Sequence, residues 1–339
     1  MTRILALLAL ATTALALASC GGGDEGPTTT ADPTAGGDGF PVTISQAIGD
    51  VTIKAPPLRV VALDFPSADA ALALGVVPVG MYNVSYVEGG IQEWTQRALD
   101  RLGAETPELI DTEAGFPFET IQRLEPDVIL ATNTYPLIEE SWDQLNAIAP
   151  VVGHVEGPGT DDWRQGVRQV ARALGREAEG RQAISGVEAK IAAARDRYPQ
   201  LAGKTVSIFN YVPGDNLYVI NDEADASIRF FKQLGLAGVA PEVAAMSSVE
   251  GRAAVSAERY RDLDADVLIG TSPDPAALDE LEEERLFQLV PAVAQGSFLG
   301  ADIGEATAMA FPSVLSVPYA IERLAGPVAE AAGRAAADR

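Results

Sequence analysis

Short apolar runs alternate with amphipathic segments along most of the chain. The first such unit begins with the apolar run RVVAL at residues 59–63 and continues with a helix-forming stretch, 68–74, behind Ser67 as its N-cap. Gly75 ends that stretch, and a second apolar run follows at 76–81. Strand, helix and strand at this spacing predict parallel strands joined by right-handed crossovers.

The same alternation recurs in two stretches of the chain. In the first stretch it predicts strands at 108–110, 127–132 and 151–155 and helices at 119–124 and 142–148. In the second it predicts strands at 205–209, 217–220 and 266–270 and a helix at 226–234. Between them, residues 162–198 carry apolar stripes that indicate two consecutive helices broken near Gly175. The pattern therefore predicts an α/β fold with two lobes.

An internal repeat supports two lobes of one plan. Residues 119–132 read ETIQRLEPDVILAT and residues 258–271 read ERYRDLDADVLIGT, with the glutamate, the DV pair and the final threonine matching at one offset. Each copy is predicted to be a helix that runs directly into a buried strand. Repetition of one supersecondary unit indicates that both halves are built alike.

The amino-terminal segment has the pattern of an export signal. Its apolar run, 4–18, is shorter than the roughly 20 residues that cross a bilayer, and it ends in Leu-Ala-Ser-Cys. That ending resembles the lipobox of bacterial lipoproteins, so we predict a signal peptide at 1–19 and lipidation of Cys20, with an ordinary secretory peptide as the alternative. Residues 20–40, rich in Gly, Thr, Asp and Pro, are predicted to form a flexible tether.

Composition narrows the functional classes. The chain of 339 residues is long enough for two cores, and its formal net charge of −24 makes nucleic acid an unsuitable partner. Because Cys20 is the only cysteine, no intramolecular disulfide can form. Because His154 is the only histidine, metal sites with several imidazoles are excluded and a Ser-His-Asp triad would have to use that residue. A hydrolase that uses two carboxylates stays open.

Aromatic residues follow many of the predicted strands. Ligands of open α/β sheets bind beyond the carboxyl ends of the strands, where such residues would lie. We therefore predict a ligand site of six aromatic side chains and one arginine that pairs with an anionic edge of the ligand: Phe65, Tyr82, Phe116, Tyr135, Tyr211, Tyr218 and Arg252. The alternative for each aromatic is packing within its own lobe.

Several segments resemble the ABC-transporter substrate-binding proteins for ferric siderophores, cobalamin and haem. They are RVVALDFPSADAALALGVVPVG (59–80), ETIQRLEPDVILA (119–131), VSAERYRDLDADVLI (255–269), PAVAQGSFLGAD (291–302) and FPSVLSVPYAIERL (311–324). The resemblance covers roughly residues 42–326. It implies two Rossmann-like α/β lobes, 41–161 and 201–330, with the ligand in the cleft between them. It also implies that helices at 162–200 separate the lobes, including a single long helix from Glu177 to Tyr198 that joins them.

The resemblance further implies an extracytoplasmic lipoprotein that delivers its ligand to an ABC importer. A surface glutamate on each lobe would contact the permease dimer, and the matching positions are Glu119 and Glu258. The alternative reason for a glutamate there is the helix dipole. A ferric siderophore is the preferred ligand, because it brings its own iron ligands and needs no cluster of histidines.

These expectations amount to a monomeric binding protein without catalytic residues, resident metal or cofactor. Cobalamin or haem is the alternative ligand within the family. A secreted hydrolase with two carboxylates and a ligand sensor that signals to a membrane partner are the alternatives from other classes.

Overall fold

The structure is a computed structural model and describes residues 39–134, 137–157, 161–214 and 216–337, without the side chains of residues 137, 275, 336 and 337. The predicted signal peptide, Cys20, nearly all of the predicted tether and Tyr135 lie outside the described residues. Within the described ranges, no helix is both long enough and apolar enough to cross a membrane.

The first lobe is built on a five-stranded parallel sheet. It begins with an antiparallel hairpin, β1 (Val42–Ile44) and β2 (Val51–Ile53). The sheet strands are β3 (Val60–Ala62), β4 (Gly80–Tyr82), β5 (Glu108–Ile110), β6 (Val128–Leu130) and β7 (Val151–Val152). The helices are α1 (Phe65–Ala73), α2 (Glu93–Leu102), α3 (Phe118–Arg123) and α4 (Leu137–Ile148). The strand order β5-β4-β3-β6-β7 places a topological switch point between β3 and β6, where the following loops diverge.

Two helices separate the sheets along the chain. Helix α5 (Trp163–Ala173) packs against α1, and helix α6 (Glu177–Arg197) packs against α5. The predicted break is at Gly175, whose φ of +66° suits glycine. The 21 residues of α6 span about 32 Å. The predicted long helix is therefore present, although Tyr198 is its C-cap rather than its last helical residue.

The second lobe is built on a six-stranded mixed sheet. Its strands are β8 (Thr205–Tyr211), β9 (Leu217–Ile220), β10 (Gly238–Val239), β11 (Arg252–Val255), β12 (Val267–Thr271) and β13 (Phe298–Ala301). The order is β11-β9-β8-β12-β13, and β10 pairs with the start of β8. Strand β9 is antiparallel to β8, whereas β12 and β13 continue in parallel. The helices are α7 (Ala226–Gln233), α8 (Pro241–Ala244), α9 (Pro275–Glu283), α10 (Pro291–Ala294), α11 (Ile303–Ala310) and α12 (Ser316–Ala337). The predicted α/β architecture with two lobes is confirmed.

The start of α1 differs from the prediction. Asp64, not Ser67, is the N-cap, and its carboxylate accepts a hydrogen bond from the Ser67 backbone N–H at 2.7 Å. Pro66 fits the first turn because no backbone N–H is needed there. Phe65 is therefore the first helical residue, directly beyond the end of β3.

Four predicted strands are shorter than expected: 59–63 is observed as Val60–Ala62, 127–132 as Val128–Leu130, and β4 and β7 are also short. Strand β4 begins only at Gly80, after Pro78, which cannot donate to a strand ladder. Strand β7 ends at Val152, because the next backbone N–H, that of Gly153, donates to the Gln46 side chain at 2.7 Å. At β4 the backbone N–H is missing at Pro78, and at β7 the Gly153 N–H donates to a side chain outside the sheet, so neither strand extends past these residues.

The internal repeat has a structural counterpart. Asp127, just before β6, accepts the backbone N–H groups of Leu58 and Arg59 at 2.8 Å, next to the start of β3. Asp266, just before β12, accepts the Thr205 N–H at 2.8 Å, at the start of β8. Since β6 pairs with β3 and β12 pairs with β8, the two carboxylates join equivalent strands in the two lobes. The repeat departs from the prediction in one respect: the segment Ala257–Leu263 is a 3₁₀ helix, whereas α3 is an α-helix.

A buried hydrogen-bond network connects α1 and α2 with the segment 311–316, which follows α11 and includes the first residue of α12. Asp69 of α1 accepts hydrogen bonds from the Trp94 indole at 2.8 Å, the Thr95 hydroxyl at 2.6 Å and the Ser313 hydroxyl at 2.5 Å. Burial nevertheless raises the pKa of Asp69 to about 7, well above the ordinary value for an aspartate. The chain from the second sheet is thus fixed to the first lobe through a carboxyl group that is costly to ionise.

We expect the substitution Asp266→Ala to destabilise the protein more than Asp127→Ala. Asp266 is buried, so its loss leaves the Thr205 N–H and hydroxyl without their acceptor, at a cost of about 2 to 3 kcal/mol. Asp127 is exposed, and water replaces its hydrogen bonds, so about 1 kcal/mol is expected. Urea unfolding followed by circular dichroism measures both, with the exposed Asp279→Ala as the control. Equal losses at the two positions would contradict the burial argument.

The raised pKa of Asp69 predicts a pH-dependent stability. The unfolded chain ionises Asp69 near pH 4 and the folded protein only near pH 7, so the unfolded state is progressively favoured as the pH rises through that window. The side chain of the variant Asp69→Asn does not titrate, so the variant does not lose this stability as the pH rises. The free energy of unfolding of the variant minus that of the wild type should therefore increase from pH 4 to pH 7, by at most about 4 kcal/mol. Thermal unfolding at several pH values measures the difference. A constant difference across the window would refute the prediction.

Candidate functional site

Two chain segments, 64–67 after β3 and 132–133 after β6, meet at the carboxyl edge of the first sheet, at its switch point. Asp64 at the end of β3 accepts the Asn133 N–H at 3.1 Å in addition to that of Ser67. The Ser67 hydroxyl accepts the Thr132 N–H at 2.9 Å. Burial raises the pKa of Asp64 to about 6, although the hydrogen bonds from Asn133 and Ser67 oppose the shift. These bonds hold the loops after β3 and β6 against each other.

A small cavity of about 30 Å³ lies beside this edge. Its lining comes from the loops after β3 and β6, the start of α5 and the segment 311–316, and includes Thr132, Asn133, Asp162, Trp163, Pro312 and Ser313. Ligand pockets for drug-sized molecules have volumes of roughly 300 to 1,000 Å³. The cavity is therefore far too small for a bulky solute, and such a ligand would require these walls to move apart.

Trp163 offers a hydrogen-bond donor at this cavity. Its side chain is only 6% exposed, and its indole N–H has no acceptor among the described residues. Buried indole N–H groups are normally paired, so this one lacks the partner that such a group usually has. The Arg164 guanidinium lies 4.4 Å from the centre of the Trp163 ring and forms ion pairs with Asp162 and Glu188. The ring is thus held in place from one side.

The predicted ligand residues of the first lobe lie at the same edge but differ in accessibility. Phe65 is 7% exposed, and its ring makes an edge contact with the Phe311 ring at 6.0 Å. Tyr82 ends β4 and is half-buried; burial raises the pKa of its hydroxyl, with Tyr86 and Glu113 adding to the shift. Phe116 follows β5 and packs within the core of its own lobe.

In the second lobe, two of the predicted residues lie at the carboxyl end of β8 and one does not. Tyr211 is level with Leu217 and Tyr218 with Asn210, so the two tyrosine side chains project from opposite faces of the sheet. Tyr211 ends β8, and Tyr218 of β9 pairs with the neighbouring Asn210; both tyrosines are half-buried. Burial also raises the pKa of Tyr211. Arg252 lies at the start of β11, level with Ile220 and about 10 Å along the strand from its carboxyl end, which is level with Leu217. Its guanidinium forms an ion pair with Asp225 at 2.9 Å.

The two repeat glutamates occupy equivalent positions. Glu119 is exposed in the first turn of α3, which precedes β6. Glu258 is exposed in the first turn of the 3₁₀ helix that precedes β12. The pKa of Glu258 is lowered by hydrogen bonds from its own backbone N–H and from the Ser256 hydroxyl. Each glutamate is therefore a surface anion at a matching point of its lobe.

Sequence reasoning missed three residues at this edge. Phe311, 47% exposed, belongs to a segment that we interpreted only as the beginning of a closing helix. Trp163 was interpreted as one position of an apolar stripe on α5. Asp69 lies in the middle of α1, where an aspartate within an apolar helix was the only available signal. Each of these roles depends on a contact with a distant part of the chain.

The chain has clear relatives. A sequence model described as periplasmic binding protein matches residues 60–302. The chain is 28% identical over 230 residues to the "Probable siderophore-binding lipoprotein YfiY" of Bacillus subtilis strain 168, with 67% of each chain covered.

Two solved structures resemble the whole described fold. PiaA of Streptococcus pneumoniae TIGR4, in complex with ferrichrome, is 27% identical with a TM-score of 0.72, covering 86% of this chain and 99% of PiaA. A periplasmic solute binding protein from Mycobacterium smegmatis str. MC2 155 is also 27% identical, with a TM-score of 0.74 and coverage of 86% and 99%. These matches confirm the resemblance inferred from the sequence motifs, and the chain belongs to the periplasmic binding protein family.

Proposed function

We propose that the protein captures a ferric siderophore outside the cytoplasm and delivers it to an ABC importer. The observation that carries this proposal is the similarity of both lobes to PiaA, whose structure contains ferrichrome. The name of the Bacillus subtilis relative as a siderophore-binding lipoprotein supports the same ligand class.

The carboxyl edges suit a ligand of this kind. A ferric siderophore presents an organic shell and polar oxygen atoms around an iron that already has its ligands, so the protein needs to supply shape and hydrogen bonds. In this proposal, Phe65, Tyr82, Tyr211 and Tyr218 at the carboxyl ends of the strands supply aromatic surface to the organic shell. The unpaired Trp163 indole N–H supplies a hydrogen-bond donor. Ligand contacts by all seven predicted residues, including Phe116, Tyr135 and Arg252, stay predictions.

The other functions have less support. A haem ligand would favour an axial histidine, but His154 is 2% exposed and its imidazole lies 3.3 Å from Glu139. A hydrolase with two carboxylates is opposed by membership of a binding-protein family. Its best candidates, Asp64 and Asp69, accept hydrogen bonds from internal donors instead of facing an open cleft.

The membrane and importer partners belong to the same proposal. We expect a signal peptide at 1–19, lipidation at Cys20, a tether to residue 40, lobes at 41–161 and 201–330, and a monomer in solution. Docking on a permease dimer would use Glu119 and Glu258, since a protein with two similar lobes can offer one similar contact to each permease subunit.

Intrinsic fluorescence tests the ligand. We expect saturable quenching by a ferric siderophore such as ferric ferrichrome, and at least tenfold weaker binding of haem and cobalamin. The variant Trp163→Phe should lose most of the quenching, because this indole lies at the site, whereas Trp142→Phe on α4 should retain it. Calorimetry on each variant separates loss of signal from loss of binding. A folded wild-type protein that binds no ferric siderophore in a panel of hydroxamates, catecholates and carboxylates would refute the proposal.

Uptake assays test the docking residues. The double variant Glu119→Ala, Glu258→Ala should reduce uptake of the ferric siderophore at least fivefold while its Kd for the purified protein stays unchanged, because both carboxylates are exposed and lie on the surface. Glu105→Ala, Glu242→Ala is the matched control, since it removes one exposed glutamate from each lobe elsewhere. Equal uptake by the two double variants would rule out this docking surface.

A further inference from the structure

A groove of about 1120 Å³ lies outside the carboxyl edge described above. Its walls are the end of α1, one face of α2, one face of α6 and the beginning of α12. Because α1 starts at the carboxyl edge, its last residues, Leu72 and Ala73, lie toward the opposite edge of the sheet. None of the predicted ligand residues that the structure describes lines this groove, and it shares only Val314 with the small cavity.

The floor of the groove is apolar because α6 presents small side chains to it. Ala183, Val187 and Ala194 recur at helical spacing along this face, and Gly186 lies between them. A β-carbon added at Gly186 would meet no atom within 4 Å, so the space above the helix is open. The lining face from Ala183 to Arg197 extends about 21 Å along the helix.

The rim of the groove is positively charged. Arg101 projects from α2, and Lys190 and Arg197 project from α6, two turns apart on one face. None of these three forms an ion pair with another residue in the described part of the chain. By contrast, Arg97 in the same groove is paired with Glu93 and Glu322. The Arg197 guanidinium lies 5.5 Å from the centre of the Tyr198 ring, which also lines the groove. Three cations without an ion pair among the described residues thus surround one apolar floor.

We propose that this groove binds the anion of a long-chain fatty acid. The alkyl chain would lie along the small-residue face of α6, and the carboxylate would pair with Arg101, Lys190 or Arg197 at the rim. A guanidinium binds a carboxylate through two parallel hydrogen bonds, which favours this head group.

The dimensions support a single alkyl chain. The hydrocarbon core of a bilayer is about 30 Å thick, so an acyl chain of one leaflet spans about 15 Å. The face of about 21 Å accommodates such a chain together with its carboxylate. An acidic peptide would fit less well, because its backbone N–H and C=O groups would face an apolar floor that cannot pair with them.

Titration of the full-length protein with palmitate, below its micelle concentration, tests the proposal, with the methyl ester as the uncharged probe. We expect saturable binding of palmitate and at least tenfold weaker binding of the ester. The charge reversal Arg101→Glu, Lys190→Glu should weaken palmitate binding at least tenfold. Gly186→Leu should do the same by filling the floor, and it improves helix propensity, so misfolding is not expected. Arg181→Glu, on an exposed part of α6 outside the groove, is the control and should bind normally.

Competition experiments locate the site. Saturating ferric ferrichrome should leave the Kd for palmitate unchanged within twofold, because the groove does not include the candidate siderophore residues. Displacement of palmitate by ferrichrome, equal affinity for palmitate and its ester, or tighter binding of a poly-glutamate peptide would each overturn the proposal. So would undiminished binding by the charge-reversed protein. None of these outcomes bears on siderophore binding, which is measured separately.

Discussion

Parallel strands all end at one edge of their sheet, and this constraint organises the protein. A parallel pair needs a crossover through a helix, so the loops that leave the strands and the first turns of the helices collect at the same edge. In the first lobe that edge is divided at the switch point between β3 and β6. Asp64 holds the two sides of the switch point together, because its buried carboxylate accepts the backbone N–H groups of Ser67 after β3 and of Asn133 after β6.

The second lobe satisfies the same constraint with a different sheet. Asp266 joins the start of β12 to the start of β8, and Asp127 joins the start of β6 to the start of β3. The central pair of strands is therefore built in the same way in both lobes. Beyond that pair the sheets diverge, because β9 runs antiparallel to β8. The antiparallel pairing brings Tyr218 beside Asn210 at the carboxyl edge and leaves Arg252 at the far end of β11. The lobes therefore share a framework but offer different side chains to a ligand.

The protein presents two surfaces of different chemistry. The carboxyl edges combine aromatic rings with buried polar groups, including the unpaired indole N–H of Trp163. The groove beside α6 combines a floor of small apolar residues with a cationic rim. Asp69 lies between them, since its partner Trp94 lines the groove and its partner Ser313 lines the small cavity. Asp69 therefore accepts a hydrogen bond from one residue that lines each surface.

Features that depend on neighbouring residues were determined by the sequence itself. The alternation of strands and helices, the break at Gly175 and the two repeated segments follow from local periodicity and backbone preference, and all are present in the structure. The two lobes followed from the repeat and from motifs that the family shares.

Only the tertiary structure decided which side chains meet. The N-cap at Asp64, the partners of Asp69, the contact of Phe65 with Phe311, the position of Arg252 and the groove beside α6 all require the pairing and direction of distant segments. Strand direction and helix packing are set by the burial of whole faces, and no window of neighbouring residues contains that information.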